Sequence, residues 1–143
     1  MADSMDRLIR DLIDAWNSHD VDRALEFYAP DYSGEDVGRA QRHQGHAGAR
    51  KFIGAYVRAF PDVQLSADEM IGEGERAALM WTARGTHLGA IMNIPPTNRP
   101  VQIRGVSLLT LQQDKIYHAT YIWDVAGLLR NIGLLPELNS EKG

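Results

Sequence analysis

Residues 63–86 read "VQLSADEMIGEGERAALMWTARGT", and the fold turns on this stretch. Val63, Leu65 and Ala67 alternate with Gln64, Ser66 and Asp68. A period of two belongs to a strand with one buried face. "GEGE" at 72–75 is a hairpin signal, because glycine reaches the backbone conformations of a tight turn. A second long strand then covers 76–86, centred on "AALMWTA".

Upstream the period is different. Met5, Leu8, Ile9, Leu12, Ile13 and Trp16 recur at helical spacing, opposite Asp6, Arg7, Arg10, Asp11 and Asp14. This predicts an amphipathic helix with Asp3 or Ser4 as N-cap, closed by "NSHD". Asp20 caps a second helix, with Val21, Ala24, Leu25 and Tyr28 on one face and Pro30 as its stop. Residues 33–46, "SGEDVGRAQRHQGH", are polar and glycine-rich and read as a loop with at most one short strand. Phe52, Ile53, Tyr56, Val57 and Phe60 line a third helix, which ends at Pro61.

Downstream comes "GTHLGAIMNIPPTNRPVQIRG", residues 85–105, a long, apolar, proline-stiffened connection. Loops of this length inside a compact domain are often functional. Ile91, Met92 and Ile94 are expected either to turn toward a ligand at a cavity rim or to pack on a neighbouring helix or subunit. Strands over 101–112 and 115–123 follow, joined by a tight turn at Gln113-Asp114. Asp124 then caps a short helix with Leu128, Leu129 and Ile132 as its apolar face and Gly133 as its stop. Three helices, four antiparallel strands and a last helix give an α+β fold, read as one domain over residues 1–143. A curled sheet packed on helices leaves a pocket between them.

Composition narrows the function. The chain has 143 residues, 44% hydrophobic and 24% charged, which suits one globular core. Its net charge of −4 lacks the basic footprint that phosphate backbones demand, so no nucleic-acid partner is expected. With no cysteine there is no disulfide framework, thiolate nucleophile or cysteine metal site. No apolar run approaches the roughly 20 residues of a membrane span, and the N-terminus does not read as a signal peptide. The expectation is a cytoplasmic protein with no membrane partner.

"AWNSHD" at 15–20, "YAPDY" at 28–32, "AFPDV" at 59–63, "GTHLG" at 85–89, "IPPTNRPV" at 94–101, "KI" at 115–116 and "WDVAGLLRNIG" at 123–133 occur in this order. Together they resemble the SnoaL-like polyketide cyclases of the NTF2-like superfamily, over roughly residues 8–135. The resemblance implies a cone-shaped barrel, with N-terminal helices packed on a curved antiparallel sheet around an apolar cavity. It also implies a homodimer, a small apolar ligand and no cofactor. Relatives such as ketosteroid isomerase, scytalone dehydratase and limonene epoxide hydrolase do acid–base chemistry in such a pocket. The cyclases carry an acid/base carboxylate on the last strand, at the position of Tyr121 here. Their histidines correspond to Ala119 and Ser107.

Tyrosine near pKa 10 is a poor base at neutral pH but a good hydrogen-bond donor to an oxyanion. Strand alternation puts Tyr117, Ala119, Tyr121 and Trp123 on one face beside Ile103, Gly105, Ser107 and Leu109. Gly105 and Ala119 remove bulk there, as a cavity requires. The candidate catalytic residues are therefore Tyr121, Ser107, His87 and His43. Trp16, Tyr32, Phe52, Tyr56 and Trp81 are candidate binding residues, with Met92, Gly105, Ala119 and Trp123. Each has a structural alternative: His87 as a loop brace, the aromatics as core. Asp31, Glu35 and Asp36 read as solvated loop acids, and Arg104 as an outer-face interface residue. His43 and His46 have H-x-x-H spacing but no evident third ligand, so no metal is expected. The functional expectation is a cofactor-independent cyclase, isomerase or lyase acting on a polyketide-like or other flat apolar substrate. The alternatives are a non-catalytic ligand-binding or dimerisation module, or an accessory subunit of a hydroxylation system.

Overall fold

A computed structural model of the chain describes residues 2–138. The helices are α1 (Ala2–Asn17), α2 (Val21–Leu25), α3 (Gly45–Ala59) and α4 (Val125–Asn131). The strands are β1 (Tyr28–Asp36), β2 (Gln41–Gln44), β3 (Gln64–Glu73), β4 (Arg76–Thr86), β5 (Pro100–Gln112) and β6 (Lys115–Trp123). They form one curved, unclosed sheet in the order β2-β1-β6-β5-β4-β3. All neighbouring pairs are antiparallel except β1 and β6, which run parallel.

The α+β expectation holds, but the sheet has six strands rather than four. Tyr28 and Pro30 belong to β1, not to the second helix, and much of 33–46 is strand. The inward positions near the end of β1 are Tyr32, Gly34 and Asp36, all buried. Strand periodicity is present there but carried by small or polar residues, so apolar alternation does not reveal it. At the other end of the chain α1 already begins at Ala2, which puts Asp3 and Ser4 inside the helix rather than at its cap.

Other local signals act as read. Asp20 accepts a hydrogen bond from the Arg23 N–H at 3.2 Å, and Asp124 accepts one from the Gly127 N–H at 2.9 Å. Both are side-chain N-caps. Gln113 and Asp114 take φ of 53° and 61°, the paired left-handed conformation of a two-residue hairpin turn. Simple alternation breaks at three places, between Tyr28 and Ser33 in β1, between Ala67 and Glu69 in β3, and in β6. Leu111 pairs with Ile116 and Thr110 with His118, so Tyr117 is the extra residue of a β-bulge. It lies exposed on the outside, not on the cavity face with Tyr121.

Two apolar clusters fill the space between helices and sheet. One joins Ile9, Leu12, Phe52, Leu79, Leu109 and Tyr121; the other joins Phe60, Val63, Ile103, Leu128 and Ile132. The long loop completes the second cluster. Ile91 is buried in it, and Met92 and Ile94 pack against it. The loop thus seals one end of the cone against α4 instead of facing a ligand, which corrects the reading of Met92 as a binding residue.

Candidate active site

Between the two clusters lies a cavity of about 110 Å³. Its wall is built from rows that cross the sheet. One row runs Leu79, Ser107, Tyr121, Asp36 over β4, β5, β6 and β1. The next runs Trp81, Gly105, Trp123. All of these except Gly105 line the cavity, and Trp16, Phe52 and Tyr56 close it from the helices. Gly105 lies between two indoles. A Cβ there would sit 2.4 Å from the Trp81 ring and 2.8 Å from Trp123.

Asp36 is the carboxylate in this wall. It is 1% exposed, and its partners are all donors. Trp123 Nε1 donates to Oδ1 at 2.8 Å, the Arg39 backbone N–H donates to the same oxygen at 3.2 Å, and the Tyr56 hydroxyl donates to Oδ2. The reading of Asp36 as a solvated loop acid is therefore overturned. Its strand position turns it inward, and three donors offset the cost of burying its charge. Each carboxylate oxygen can accept about two hydrogen bonds. Oδ1 is saturated, while Oδ2 keeps one lone pair free.

Tyr121 stands beside Asp36 on the adjacent strand. Its hydroxyl lies 3.0 Å from that of Tyr32, and Tyr32 in turn lies 3.4 Å from His43 Nδ1. Trp16 Nε1 donates to the Tyr28 hydroxyl at 3.2 Å. Burial pushes the Tyr28 phenol up to about 12. Burial, reinforced by the neighbouring Tyr28 and Tyr32, pushes Tyr121 well above the usual tyrosine range. Burial and then the Asp36 carboxylate do the same to Tyr56. These phenols are donors, not bases. Trp81 Nε1 donates to Ser107 Oγ at 3.0 Å, so the serine hydroxyl proton is free to point into the cavity.

The remaining candidates lie elsewhere. Tyr32 and Ala119 are fully buried in the first cluster behind the wall. His43 stacks on Phe52 at 4.5 Å, next to the wall rather than in it. His87 does not face the cavity. It is completely buried, and its Nδ1 accepts from the Thr97 N–H at 3.2 Å. It braces the loop, so its reading as a base is corrected. His46 Nε2 meets the Tyr28 carbonyl at 2.6 Å, away from His43's partners.

Similarity to known proteins agrees with this architecture. Comparison of the sequence with curated proteins gives no match. AclR, a candidate hydroxylase from Streptomyces galilaeus, superposes with a TM-score of 0.85 at 26% identity, covering 99% of this chain and 88% of that one. IdmH from Streptomyces antibioticus, a candidate polyketide cyclase, gives 0.72 at 25% identity, covering 90% and 97%. A Catenulispora acidiphila protein with a ketosteroid isomerase-like fold gives 0.77 at 14% identity, covering 92% and 96%, a likeness of fold alone. The family model for SnoaL-like polyketide cyclases matches residues 6–132, most of the chain, and the protein belongs to that family.

Proposed function

We propose that this protein is a cofactor-independent acid–base enzyme that enolises a small, flat, apolar carbonyl compound, as a cyclase, isomerase or lyase of polyketide-like substrates would. One observation carries the reading. A buried carboxylate, Asp36, and a buried phenol, Tyr121, are neighbours in one row of an otherwise apolar cavity. A base and an oxyanion donor side by side are what proton abstraction next to a carbonyl requires.

In this reading the free lone pair of Asp36 Oδ2 takes the proton from the carbon next to the carbonyl. The C–H electron pair becomes the enolate double bond, and the charge passes to the carbonyl oxygen. Tyr121, with Ser107 as a second donor, stabilises that oxygen. The enolate carbon is then reprotonated or attacks a second carbonyl of the same substrate. Trp81, Trp123 and Phe52 offer flat walls to a ring.

The test is solvent-deuterium exchange into cyclohexanone, phenylacetone and β-tetralone, three ketones of increasing size, with binding followed in parallel. Wild-type protein is expected to accelerate exchange into at least one. Asp36→Asn should abolish the acceleration while binding persists. Tyr121→Phe should reduce it about 10²–10³-fold, the usual cost of one oxyanion donor. Binding without exchange would establish the ligand-binding module instead. The likeness to AclR favours a second reading, a component of a hydroxylation system. That reading requires a product carrying one added oxygen atom, formed only with a reductase present.

A further inference from the structure

We infer that His43 supplies protons to Tyr121 through the hydroxyl of Tyr32, forming a relay from the partly exposed edge of the site to the cavity. The inference rests on the reading of Tyr121 as the donor. Three observations carry it.

The first is connectivity. Tyr32 Oη lies between His43 Nδ1, at 3.4 Å, and Tyr121 Oη, at 3.0 Å. His43 is partly exposed, Tyr32 is fully buried, and Tyr121 faces the cavity. The chain therefore runs from outside to inside with no gap.

The second is rigidity. Phe52 stacks on His43 at 4.5 Å and on Tyr121 at 4.6 Å, with interplanar angles of 29° and 27°. The phenyl ring packs against both, the His43 and Tyr121 rings lie 6.3 Å apart beside it, and Tyr32 bridges their polar edges. Gly34 makes room for that bridge. A Cβ there would lie 2.0 Å from the Tyr32 hydroxyl. No other residue at position 34 leaves the bridging hydroxyl in place.

The third is polarity. With His43 neutral and Nδ1 bare, the low-energy order is Tyr121 donating to Tyr32 and Tyr32 donating to His43. The Tyr121 proton then points away from the cavity. With a proton on His43 Nδ1 the order reverses, and the Tyr121 proton turns to the cavity side, where its acceptors are the Tyr28 hydroxyl and a bound substrate oxygen. In the working step Tyr121 gives its proton to the substrate oxyanion and takes one from Tyr32. Tyr32 takes one from His43, which recovers it from solvent, and when the enol reverts to the carbonyl its O–H proton returns along the same chain. Each O–H bond broken is replaced, and no phenolate remains. That matters because burial raises the cost of a phenolate at both Tyr32 and Tyr121. The groups facing His43 set its readiness. Burial holds its pKa below the ordinary value, Asp36 opposes this, and Arg39 adds to it.

The experiment follows the ring signals of His43 by NMR through a pH titration. It uses wild type, Tyr121→Phe, Tyr32→Phe and the double variant, with dispersed amide spectra as the check on folding. Tyr121 has no hydrogen bond to His43 but their rings lie 6.3 Å apart, so the Tyr32→Phe background separates an effect carried by Tyr32 from one carried by ring contact. The expected result is a midpoint shift of about 0.4 pH unit or more in Tyr121→Phe. In the Tyr32→Phe background the same substitution should produce no shift. If either variant does not fold, para-nitrophenolate bound in the wild-type cavity replaces it, and must move the His43 Nδ1 signal toward the protonated form. A His43 titration indifferent to Tyr121→Phe, or to the bound phenolate, overturns the relay even if ketone exchange is catalysed. Coupled titration without any exchange overturns the enzyme reading and leaves the relay standing.

Discussion

Gly105 sets the width of the site at the scale of a single residue. It stands between Trp81 and Trp123 in one row, and the absent side chain lets both indoles reach the cavity wall. Trp81 can then donate to Ser107, and Trp123 to Asp36. Gly105→Ala would put a methyl group 2.4 Å from the Trp81 ring, a contact that cannot persist. A bulky indole in a packed wall yields by moving as a unit. The expected cost is about 1–3 kcal/mol in chemical denaturation, the range for overpacking. The near-ultraviolet circular dichroism of the tryptophans should change as well. An unchanged spectrum with full stability would mean that the indoles do not depend on this glycine. The sequence already offered Gly105 as a bulk-removing position on the pocket face, because strand parity and residue size are both visible there. Asp36 was not legible in the same way. Among three acids in a polar stretch, nothing local separates the one that turns inward from Asp31, which is exposed.

At the scale of elements, the legible parts are those whose buried faces are apolar. The helical period of α1 and α3 and the caps at Asp20 and Asp124 report burial or a hydrogen bond through residue type, whereas β3 is an edge strand with only Leu65 and Met70 half-buried. β1 buries a tyrosine, a glycine and an aspartate, and its pairing with β6 is a long-range event no window detects. The bulge at Tyr117 is likewise a property of two strands. The loop over 87–99 carries its own device. His87 Nδ1 accepts from the Thr97 N–H, so the neutral ring keeps its proton on Nε2, which has no partner among the described residues. The His87 backbone N–H donates to Arg99 O at 2.9 Å, and its carbonyl accepts from the Asn98 N–H at 2.9 Å. Burial lowers the His87 pKa in the folded protein. The unfolded chain, with pKa near 6.5, then binds the proton first as pH falls. Stability is complete above about 6.5 and declines below it toward the lowered folded value. His43 contributes with the same sign. His87→Phe should remove part of that acid slope in thermal melts across pH, and His43→Gln should remove a separate part. At neutral pH His87→Phe should cost about 1–3 kcal/mol, because the Thr97 N–H loses its acceptor. An acid slope unchanged by His87→Phe would rule out the brace as a titrating element.

At the scale of the whole molecule, the sheet has two faces and the helices cover only one. On the open face the cross-strand rows are Ile71, Ala78, Leu108, Thr120 and Glu69, Met80, Val106, Ile122. Ile71, Leu108 and Ile122 are 62%, 44% and 47% exposed. A water-facing antiparallel sheet ordinarily alternates to polar side chains on that side. A contiguous apolar stripe on it marks an interaction surface. We propose that a second copy of the chain covers this face as a homodimer. The same face carries both signs of charge. Glu73 and Arg76 border a shallow groove beside Ile71 and Leu108, and Arg104 is exposed in the next row, opposite Thr82. A surface with both signs can complement itself about a two-fold axis, whereas a single-sign surface repels its copy. None of the proposed chemical groups lies on this face, so dimerisation and chemistry are separable. Light scattering on eluting protein should give twice the chain mass of 16.0 kDa for wild type. Leu108→Glu and Ile122→Glu should each weaken association by burying a carboxylate without a partner, and together should give the monomer mass. Amide spectra of the monomer should stay dispersed, and binding of the ketone probes should persist. A wild-type protein that elutes as a monomer at every concentration would refute the dimer. A double variant that remains dimeric would move the interface to another face.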